Sequence, residues 1–392
     1  MKNCIITPTF REHFKYIKKY LESFKKYVED KDIPLCFIIS RDEEREFGEI
    51  VKAYKDLNIQ IIIFDDLLDK YNILYTPTEL LHRFDKYCYQ TIKKLYAILD
   101  LPYDRFLLID SESMWIKQTK MKDLFDSYFN HPYFAYSILS KREIQNQFQK
   151  VLLTNINYLL KDENKKWYLE TFSWFIDKKI LLDIIKQYGS PFDMVQKLWL
   201  FWNGDKTKIA LFEGLLYYQF IDKNNQKYNY TILDIEKELK KYLGNIEFAK
   251  YIKNFKNKLN CNGGLFEFFS LLLTDSNVLT IADLCNHNRF NILRLENSDC
   301  NFDVQKQFLT LVQPNILAVS QEHCFGQNMN IFWKFKRAVL EHRYYKRFQK
   351  HFNLVKGVLC QLATFIKSLF SLPLDLIRIV VLIIKRSDFI FR

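Results

Sequence analysis

Glycine and proline are both scarce in this chain of 392 residues, with 9 and 8 copies respectively. Collagen-like, linker-rich and disordered chains are rich in one or both of these residues, so the shortage excludes those classes. Neither of the glycine-rich phosphate loops, G-x-G-x-x-G and G-x-x-x-x-G-K-[ST], occurs in the chain. Their absence argues against a dinucleotide-dependent dehydrogenase and against a P-loop kinase. The 48% of hydrophobic residues is enough for a large core.

The eight cysteines form no Cys-x-x-Cys pair, so a structural zinc site is not expected. Several of them lie in apolar runs such as "PLCFII", which suits buried free thiols. The first residues, "MKNCIITPTF", lack the positive segment and apolar core of a secretory signal. We therefore expect a protein of the reducing cytoplasm.

Positive charge is concentrated in the C-terminal segment. Residues 331–392 contain 13 Lys or Arg and 3 Asp or Glu, a net charge of +10, whereas the whole chain carries +12. The first 330 residues are therefore nearly neutral at +2, which argues against nucleic acid as a partner of this part of the chain. The patterns predict one globular domain over residues 1–330, followed by a helical, basic tail over residues 331–392.

Apolar runs alternate with helical patterns over the first 120 residues. Four runs predict strands, namely "CIITPTF", "PLCFIIS", "IQIIIFDD" and "RFLLIDSE". A helix is predicted over "DKYCYQTIKKLYAIL", before the fourth strand, and further along the chain a strand followed by a helix over "YLETFSWFIDKKILLDII" and a helix over "IALFEGLLYYQFI". Continuous apolar strands separated by helices predict an α/β fold with a doubly wound, mostly parallel sheet that is covered on both faces. Sheets of this kind bind ligands at the carboxyl ends of their strands.

The fourth predicted strand ends in two carboxylates, Asp110 and Glu112, with Ser111 between them. Residues two apart on a strand point to the same side, so the carboxylates converge if the strand continues. If the chain turns at Ser111, they bracket an ion together. Oxygen ligands at this spacing suit Mg²⁺ or Mn²⁺, which keep positions open for substrate phosphates. The alternative is a solvated strand end at which Asp110 and Ser111 cap the next element.

The order of these motifs resembles the GT-A class of nucleotide-sugar-dependent glycosyltransferases. "IITPTFRE" resembles the first strand of that class, whose Pro-Thr-Tyr/Phe end lies beside the nucleotide. "YQTIKKLYAILDLPYDRFLLIDSES" resembles the Gln-x-x-Lys helix and acidic triplet of a little-characterised bacterial group, although the triplet here is Asp-Ser-Glu. "LFEGLLYYQF" resembles that group's Ser-Glu-Tyr-x-x-Tyr segment, with Phe212 and Gly214 departing from it. The resemblance covers roughly residues 1–330.

The resemblance implies a nucleotide-binding half, residues 1–120, and an acceptor half, residues 121–330. It implies that the nucleotide sugar contacts Thr7, Pro8, Thr9, Asp42, Gln90, Lys93, Asp110 and Ser111. Gln90 and Lys93 are three apart and share a helix face, so Lys93 is expected to reach the diphosphate. The alternatives are a surface lysine at Lys93 and a solvated loop charge at Asp42. Arg83 is a weaker phosphate candidate.

The resemblance also implies a divalent cofactor, Mn²⁺ or Mg²⁺, held by Asp110, Glu112 and His323. A neutral imidazole can ligate a metal, although a lone histidine is more often a structural residue. His287 is a less favoured alternative ligand.

Three further residues of the second half receive roles from the resemblance. Glu213 is expected to take the proton of the acceptor hydroxyl, and Trp174 and Tyr217 are expected to contact the acceptor sugar. A base is needed in an inverting transfer; in a retaining transfer Glu213 would instead hold the acceptor. The further alternatives are a helix-surface or capping carboxylate at Glu213 and burial of the aromatic rings in the core.

The tail contains the apolar segment "GVLCQLATFIKSLFSLPLDLIRIVVLIIKR", which is interrupted by Lys367, Pro373, Asp375 and Arg378. A bilayer span needs roughly 20 mostly apolar residues, and a charge near its middle costs about 2.5–3.5 kcal/mol. We therefore expect an amphipathic helix that lies on an anionic membrane surface. One alternative is nucleic-acid binding by the preceding segment "WKFKRAVLEHRYYKRFQKHF", which mixes cations with aromatic residues, although the rest of the chain offers no nucleic-acid module. Another is docking of the helix on the main domain or on a second subunit.

The resemblance as a whole implies a metal-dependent, hexosyltransferase-like enzyme at the inner face of the cell membrane. It would move a sugar from a nucleotide-diphospho-sugar to a surface glycan or lipid-linked oligosaccharide, as in lipopolysaccharide biosynthesis, with no nucleic-acid partner. One alternative is a sugar nucleotidyltransferase, which is expected to carry a glycine-rich loop that "TPTFREHF" lacks. Another is an inactive, membrane-surface GT-A-like binding protein.

Overall fold

A computed structural model describes residues 1–138, 147–171, 174–259, 263–290, 292–295, 302–312 and 317–318. All of them lie in one compact unit, Met1–Phe325. The basic tail and His323 therefore lie outside the described residues.

The strands are β1 (Asn3–Pro8), β2 (Leu35–Ile39), β3 (Ile59–Ile63), β4 (Arg105–Leu108), β5 (Tyr133–Ile138), β6 (Lys166–Trp167), β7 (Phe175–Asp177), β8 (Thr231–Asp234), β9 (Ile292–Leu293) and β10 (Leu317–Ala318). The helices are α1 (Phe14–Tyr27), α2 (Glu44–Val51), α3 (Phe64–Lys70), α4 (Pro77–Asp100), α5 (Met121–Asn130), α6 (Gln147–Leu160), α7 (Lys178–Tyr188), α8 (Pro191–Phe201), α9 (Glu213–Lys223), α10 (Asn225–Tyr228), α11 (Ile235–Leu259), α12 (Val278–His287) and α13 (Phe302–Leu311).

The central sheet has the order β3-β2-β1-β4-β7. Strands β1 to β4 pair in parallel, with Ile5 of β1 opposite both Leu35 and Leu107, and β7 runs antiparallel to β4. All five residues of β2 are buried, which requires packing on both faces of the sheet. The predicted α/β fold with a mostly parallel sheet is confirmed.

The chain order reverses beside β1. Strands β2 and β3 extend the sheet on one side of β1, whereas β4 and β7 extend it on the other. A ligand crevice forms outside the carboxyl ends of the strands at such a reversal. Because β1 ends at Pro8 and β4 at Leu108, the reversal brings Thr9 and Asp110 to the same edge of the sheet.

Helix α4 forms a second wall of this crevice. Its first turn has a proline, and the Thr76 side chain accepts a hydrogen bond from the backbone N–H of Glu79, which caps the helix. Asp85, with φ of 73°, interrupts the helix. The sequence predicted a helix that begins at Asp85; the structure adds the capped segment before it. The buried part after the break carries Thr91, Lys93 and Lys94.

The second half is less regular than the first. A small sheet of order β6-β5-β8 packs there, and the strand and helix predicted around residues 168–185 are present as β7 and α7. Helix α9 occupies the predicted helical segment that carries Glu213. Within the described part of the chain, no helix has both the length and the apolar character needed to cross a membrane.

Candidate functional site

Two adjoining cavities open at the carboxyl edge of the central sheet. The strand-end cavity, of about 520 Å³, is lined by residues that include Pro8, Thr9, His13, Asp42, Lys93 and Ser111. The aromatic cavity, of about 390 Å³, is lined by Tyr87, Phe148, Trp167, Trp174, Phe212 and Phe268, and by Gln149, Glu267 and Arg294. Both cavities are lined by Gln90, Asp110 and Glu112. The two cavities therefore meet at residues 110–113, which we call the acidic turn.

The acidic turn follows directly from the end of β4. The backbone N–H of Ser113 donates to the carbonyl of Asp110 over 3.0 Å, so the chain turns at Ser111 and does not continue as a strand. His13 Nδ1 lies 3.0 Å from Ser111 Oγ and 3.4 Å from Glu112 Oε2. Burial acts to raise the pKa of Glu112, but His13, a backbone hydrogen bond and the charge of Lys94 together outweigh burial, and the pKa falls below its ordinary value.

Sequence reasoning did not find His13. It lies in a short 3₁₀ turn, Arg11–His13, that starts three residues after β1 ends. The available signal was its position in the loop that follows the first strand, because that loop reaches the same crevice as Asp110.

Lys94 joins the acidic turn to the buried carboxylate of Glu213. Its Nζ lies 2.6 Å from Glu213 Oε1 and 3.8 Å from Asp110 Oδ1. Burial acts to lower the pKa of Lys94, but the two carboxylates outweigh burial and raise the pKa. Burial also raises the pKa of Asp110, to about 6, despite the nearby ammonium. The sequence motifs predicted Gln90 and Lys93 at the site but not Lys94, one residue further on.

Glu213 is not placed as a proton acceptor for a substrate in either cavity. Its side chain is 2% exposed, and its Oε2 lies 3.0 Å from Thr91 Oγ1. It lines neither cavity, because Lys94 lies between it and Asp110. A general base must come within hydrogen-bond reach of the proton that it removes. Glu213 therefore does not have the position expected of the base, and its carboxylate contacts Lys94 instead.

Thr9 and Lys93 form the floor of the strand-end cavity. Lys93 is buried, and its Nζ donates to the carbonyl oxygen of Thr9 over 2.9 Å. Burial lowers the pKa of Lys93 to about 8. The buried Oγ1 of Thr9 has no hydrogen-bond partner among the residues that the structure describes.

Three other predicted donor contacts, Thr7, Asp42 and Arg83, lie outside this floor. Thr7 is buried below the cavity, where its Oγ1 is 2.9 Å from the hydroxyl of Tyr20, and it lines neither cavity. This position does not support a direct nucleotide contact. Asp42 lies at the rim, with its side chain 72% exposed and its Oδ2 3.4 Å from Arg11 Nη2. Arg83 stacks on Trp199 instead, 4.4 Å from the ring centroid.

Trp174 and Tyr217, the two expected acceptor contacts, are separated by the structure. Trp174 is part of the aromatic cavity wall, and Lys94 Nζ lies 5.4 Å from its ring centroid. Tyr217 is buried, and its hydroxyl accepts a hydrogen bond from the backbone N–H of Asp177 over 2.8 Å. Tyr217 lines neither cavity, so its position supports a role in packing and not an acceptor contact.

Glu267 and Arg294 form the far wall of the aromatic cavity. Arg294 Nη1 lies 3.4 Å from Glu267 Oε1, and Glu267 Oε2 accepts the backbone N–H of Gly264 over 2.7 Å. Burial raises the pKa of Glu267 to about 7. A Cβ atom at Gly264 would lie 2.6 Å from Glu170 Oε2, so the close approach of this loop requires glycine.

Two carboxyl groups of the acidic turn are placed where they could hold a cation. Asp110 and Glu112 line both cavities, with Lys94 3.8 Å from Asp110 and His13 3.4 Å from Glu112. Among the described residues, no group of three or more His, Cys, Asp or Glu side chains has the arrangement of a metal site. Mg²⁺ commonly uses one or two carboxylates together with substrate phosphates, and Asp110 and Glu112 fit that requirement. The expected ligand His323 lies outside the described residues.

One protein family matches part of this chain. A family described as "Family of unknown function (DUF6492)" matches residues 11–130, which include α1, β4 and the acidic turn but less than a third of the chain. No curated protein matches.

Three solved structures are similar to this chain at low identity. Mouse xyloside xylosyltransferase 1, apo form, is 12% identical over 60% of this chain and 85% of its own, with a TM-score of 0.34. Core-mannan synthase A from Aspergillus fumigatus, in an Mn/GDP form, is 8% identical over 56% and 69%, with a TM-score of 0.35. TarS from S. aureus is 15% identical over 73% and 48%, with a TM-score of 0.28. Likenesses at these scores do not identify the activity of this chain.

Proposed function

We propose that the protein is a glycosyltransferase that takes its sugar from a nucleotide-diphospho-sugar. The observation that carries the proposal is the position of Asp110 and Glu112, at the junction of the strand-end cavity and the aromatic cavity. The strand-end cavity suits a nucleotide diphosphate, because it lies at the carboxyl edge of a parallel sheet. The aromatic cavity suits the C–H faces of an acceptor sugar. The transferred sugar would then lie between them.

On the donor side, Thr9 and Gln90 would contact the nucleotide sugar, and Asp110 and Glu112 would hold Mn²⁺ or Mg²⁺. The bound ion would neutralise the diphosphate as the nucleotide leaves. Lys94 adds a fixed positive charge 3.8 Å from Asp110. Glu213 keeps that ammonium charged and in place, since its carboxylate helps to raise the pKa of Lys94.

On the acceptor side, Glu267 takes over the proton-accepting role once expected of Glu213. It lines the aromatic cavity, and it does not belong to the acidic turn that holds the ion. Its pKa of about 7 suits general base catalysis near neutral pH. Trp174 supplies a flat apolar surface beside it.

The test is binding of nucleotide sugars to the full chain. Thermal unfolding is measured with a panel of UDP- and GDP-sugars, with and without Mn²⁺. A ligand at a hundredfold excess over its dissociation constant should stabilise the fold by about 2.7 kcal/mol. The proposal is wrong if no member of the panel stabilises the protein in Mn²⁺.

The variants Asp110→Asn and Glu112→Gln test whether these two carboxylates hold the ion. Replacing a residue that only supports a metal ligand typically weakens metal binding by roughly 10- to 100-fold. Each variant removes a proposed ligand itself, so its donor affinity in Mn²⁺ should fall by at least that much. Asp69→Asn is the matched control, because the Asp69 side chain is 81% exposed. Donor affinity that is equal in the Asp110 variant and the control would remove the ion from the proposal.

We also propose that the basic segment 331–392, with its net charge of +10, places the enzyme on an anionic membrane surface with lipid-linked acceptors. The full chain should sediment with phosphatidylglycerol vesicles and not with phosphatidylcholine vesicles. Rising salt should release it, because salt screens surface charges. Equal sedimentation with both kinds of vesicle would refute the membrane assignment.

A further inference from the structure

The aromatic cavity contains a buried amide whose hydrogen bonds are unmade. Gln149, in the first turn of α6, is 2% exposed and lines the cavity. Neither its Oε1 nor its Nε2 has a hydrogen-bond partner among the residues that the structure describes. Buried polar groups are nearly always paired because an unmade bond costs free energy. The Gln149 amide therefore indicates a ligand group that pairs with it.

The amide restricts the chemistry of that group. Its oxygen accepts a hydrogen bond and its nitrogen donates two. A hydroxyl both donates and accepts, whereas a carboxylate or phosphate only accepts and an ammonium only donates. A pair of neighbouring hydroxyl groups satisfies both ends of the amide.

The charged residues of the cavity favour an uncharged ligand. Lys94 is 2.6 Å from Glu213, and Arg294 is 3.4 Å from Glu267. An anionic ligand would have to compete with these carboxylates for the cations. The remaining wall is largely aromatic, which suits the C–H surface of a sugar ring.

We propose that Gln149 recognises hydroxyl groups of an uncharged acceptor sugar in the aromatic cavity. The inference rests on the proposed function, because it assigns this cavity to the acceptor. It adds the chemical class of the acceptor sugar and the residue that selects it.

One consequence distinguishes recognition from a structural role. If Gln149 exists for a ligand, Gln149→Leu should leave the melting temperature of the free protein unchanged or raise it. Leucine is similar in size and removes an unpaired buried amide, and such a replacement is neutral or stabilising. If the amide were part of the protein's own hydrogen bonding, the same change would lower the melting temperature.

The experiment uses the full chain and two independent probes. Saturation-transfer NMR measures binding of methyl glucoside, methyl galactoside and methyl N-acetylglucosaminide, with methyl glucuronide as the charged counterpart. Calorimetry measures binding of UDP and GDP in Mn²⁺. Gln149→Leu and Gln149→Met are compared with Gln196→Leu, the same kind of change at an exposed helical glutamine.

We expect at least one neutral glycoside to bind wild type and the Gln196 variant equally. Both Gln149 variants should bind it about tenfold more weakly, with nucleotide affinity unchanged. The glucuronide should bind wild type about tenfold more weakly than the glucoside.

Four results would overturn the inference. The first is wild-type glycoside affinity in both Gln149 variants, and the second is equal binding of glucuronide and glucoside by wild type. The third is a lower melting temperature in both Gln149 variants than in the Gln196 control. The fourth is a wild-type protein that binds nucleotide but no glycoside. In the last case Gln149 is only hydrated, and the proposed function stands. If wild type binds neither nucleotide nor glycoside, the proposed function falls as well.

Discussion

The strand-end cavity and the aromatic cavity meet at the same two carboxylates, yet they are built in different ways. The strand-end cavity is lined by residues within the first 112 positions, most of them in loops that follow β1 and β2 or on α4. The aromatic cavity also contains residues from α6, from the segment around β6 and β7, and from three later segments. Sheet topology places the first cavity, whereas individual side chains define the second.

The two cavities share a further property. Each holds a buried neutral polar group without a partner among the described residues, such as Thr9 Oγ1 in the strand-end cavity and the Gln149 amide in the aromatic cavity. The charged groups between them are paired, as Lys94 is with Glu213. Selectivity in both cavities would therefore depend on neutral hydrogen bonds, and charge would serve the transfer step.

The largest expected effect is on turnover and concerns Glu267. Glu267→Gln should lower the transfer rate by about 10²- to 10⁴-fold, the usual contribution of a general base. Nucleotide affinity should stay within about twofold, because Glu267 does not line the strand-end cavity. The exposed Glu163 provides the control variant Glu163→Gln. Full activity in the Glu267 variant would end its assignment as the base.

The pH dependence sharpens this prediction. A base works deprotonated, so the wild-type rate should rise as the pH passes about 7, and Glu267→Gln should lose that rise.

The stability of the wild-type protein should change with pH in the opposite direction to the rate. The folded pKa of about 7 exceeds the ordinary value of 4.5, so the folded state binds more protons between these values, and wild type loses stability as the pH rises through them. Urea unfolding at pH 5 and pH 8 should therefore favour the variant increasingly at pH 8.

The next effect concerns the free energy of unfolding. Glu213→Gln should lower it by about 3–5 kcal/mol, because the buried ammonium of Lys94 loses its main partner. Glu49→Gln breaks an exposed pair with Lys52 and should cost less than about 1 kcal/mol. Urea unfolding compares the two variants.

A double variant makes the Glu213 prediction sharper. Glu213→Leu combined with Lys94→Met should be more stable than Glu213→Leu alone, because it leaves no unpaired buried charge. The double variant should also bind nucleotide sugar more weakly, since Lys94 lies beside the diphosphate in the proposed site. Equal stability of the Glu213 and Glu49 variants would show that the ion pair is not the buried contact described above.

The sequence predicted the strand-end cavity better than the aromatic cavity for a physical reason. Strands β1 to β4 are continuous apolar runs, and such runs predict a parallel sheet that is covered on both faces. Ligands bind at the carboxyl edge of such a sheet, and this rule places Thr9 and Asp110 at the site. The strands of the small sheet are two to six residues long and leave little periodicity to detect. Short strands of this kind are set by tertiary packing.

The same limit applies to single residues. Glu213 was found, but its contact with Lys94 was not, because that contact joins positions 119 residues apart. Gln149, Glu267 and Arg294 carry no motif, and only folding brings them to one cavity. Buried contacts between distant segments are therefore the part of the site that a single sequence does not reveal.

The smallest expected effect concerns Thr9 and compares the two unpaired groups directly. Thr9→Val keeps the shape of the side chain and removes only the hydroxyl, so the free protein should be as stable as wild type or slightly more stable. Nucleotide-sugar affinity should fall by roughly 2- to 12-fold, the equivalent of one hydrogen bond of about 0.5–1.5 kcal/mol. Thr119→Val is the matched control, because the Thr119 hydroxyl donates to the carbonyl of Lys117 over 2.9 Å. That variant should lose stability and keep its affinity. If calorimetry and thermal unfolding give both variants the same pattern, the Thr9 hydroxyl does not serve the donor, and the parallel between the two cavities fails.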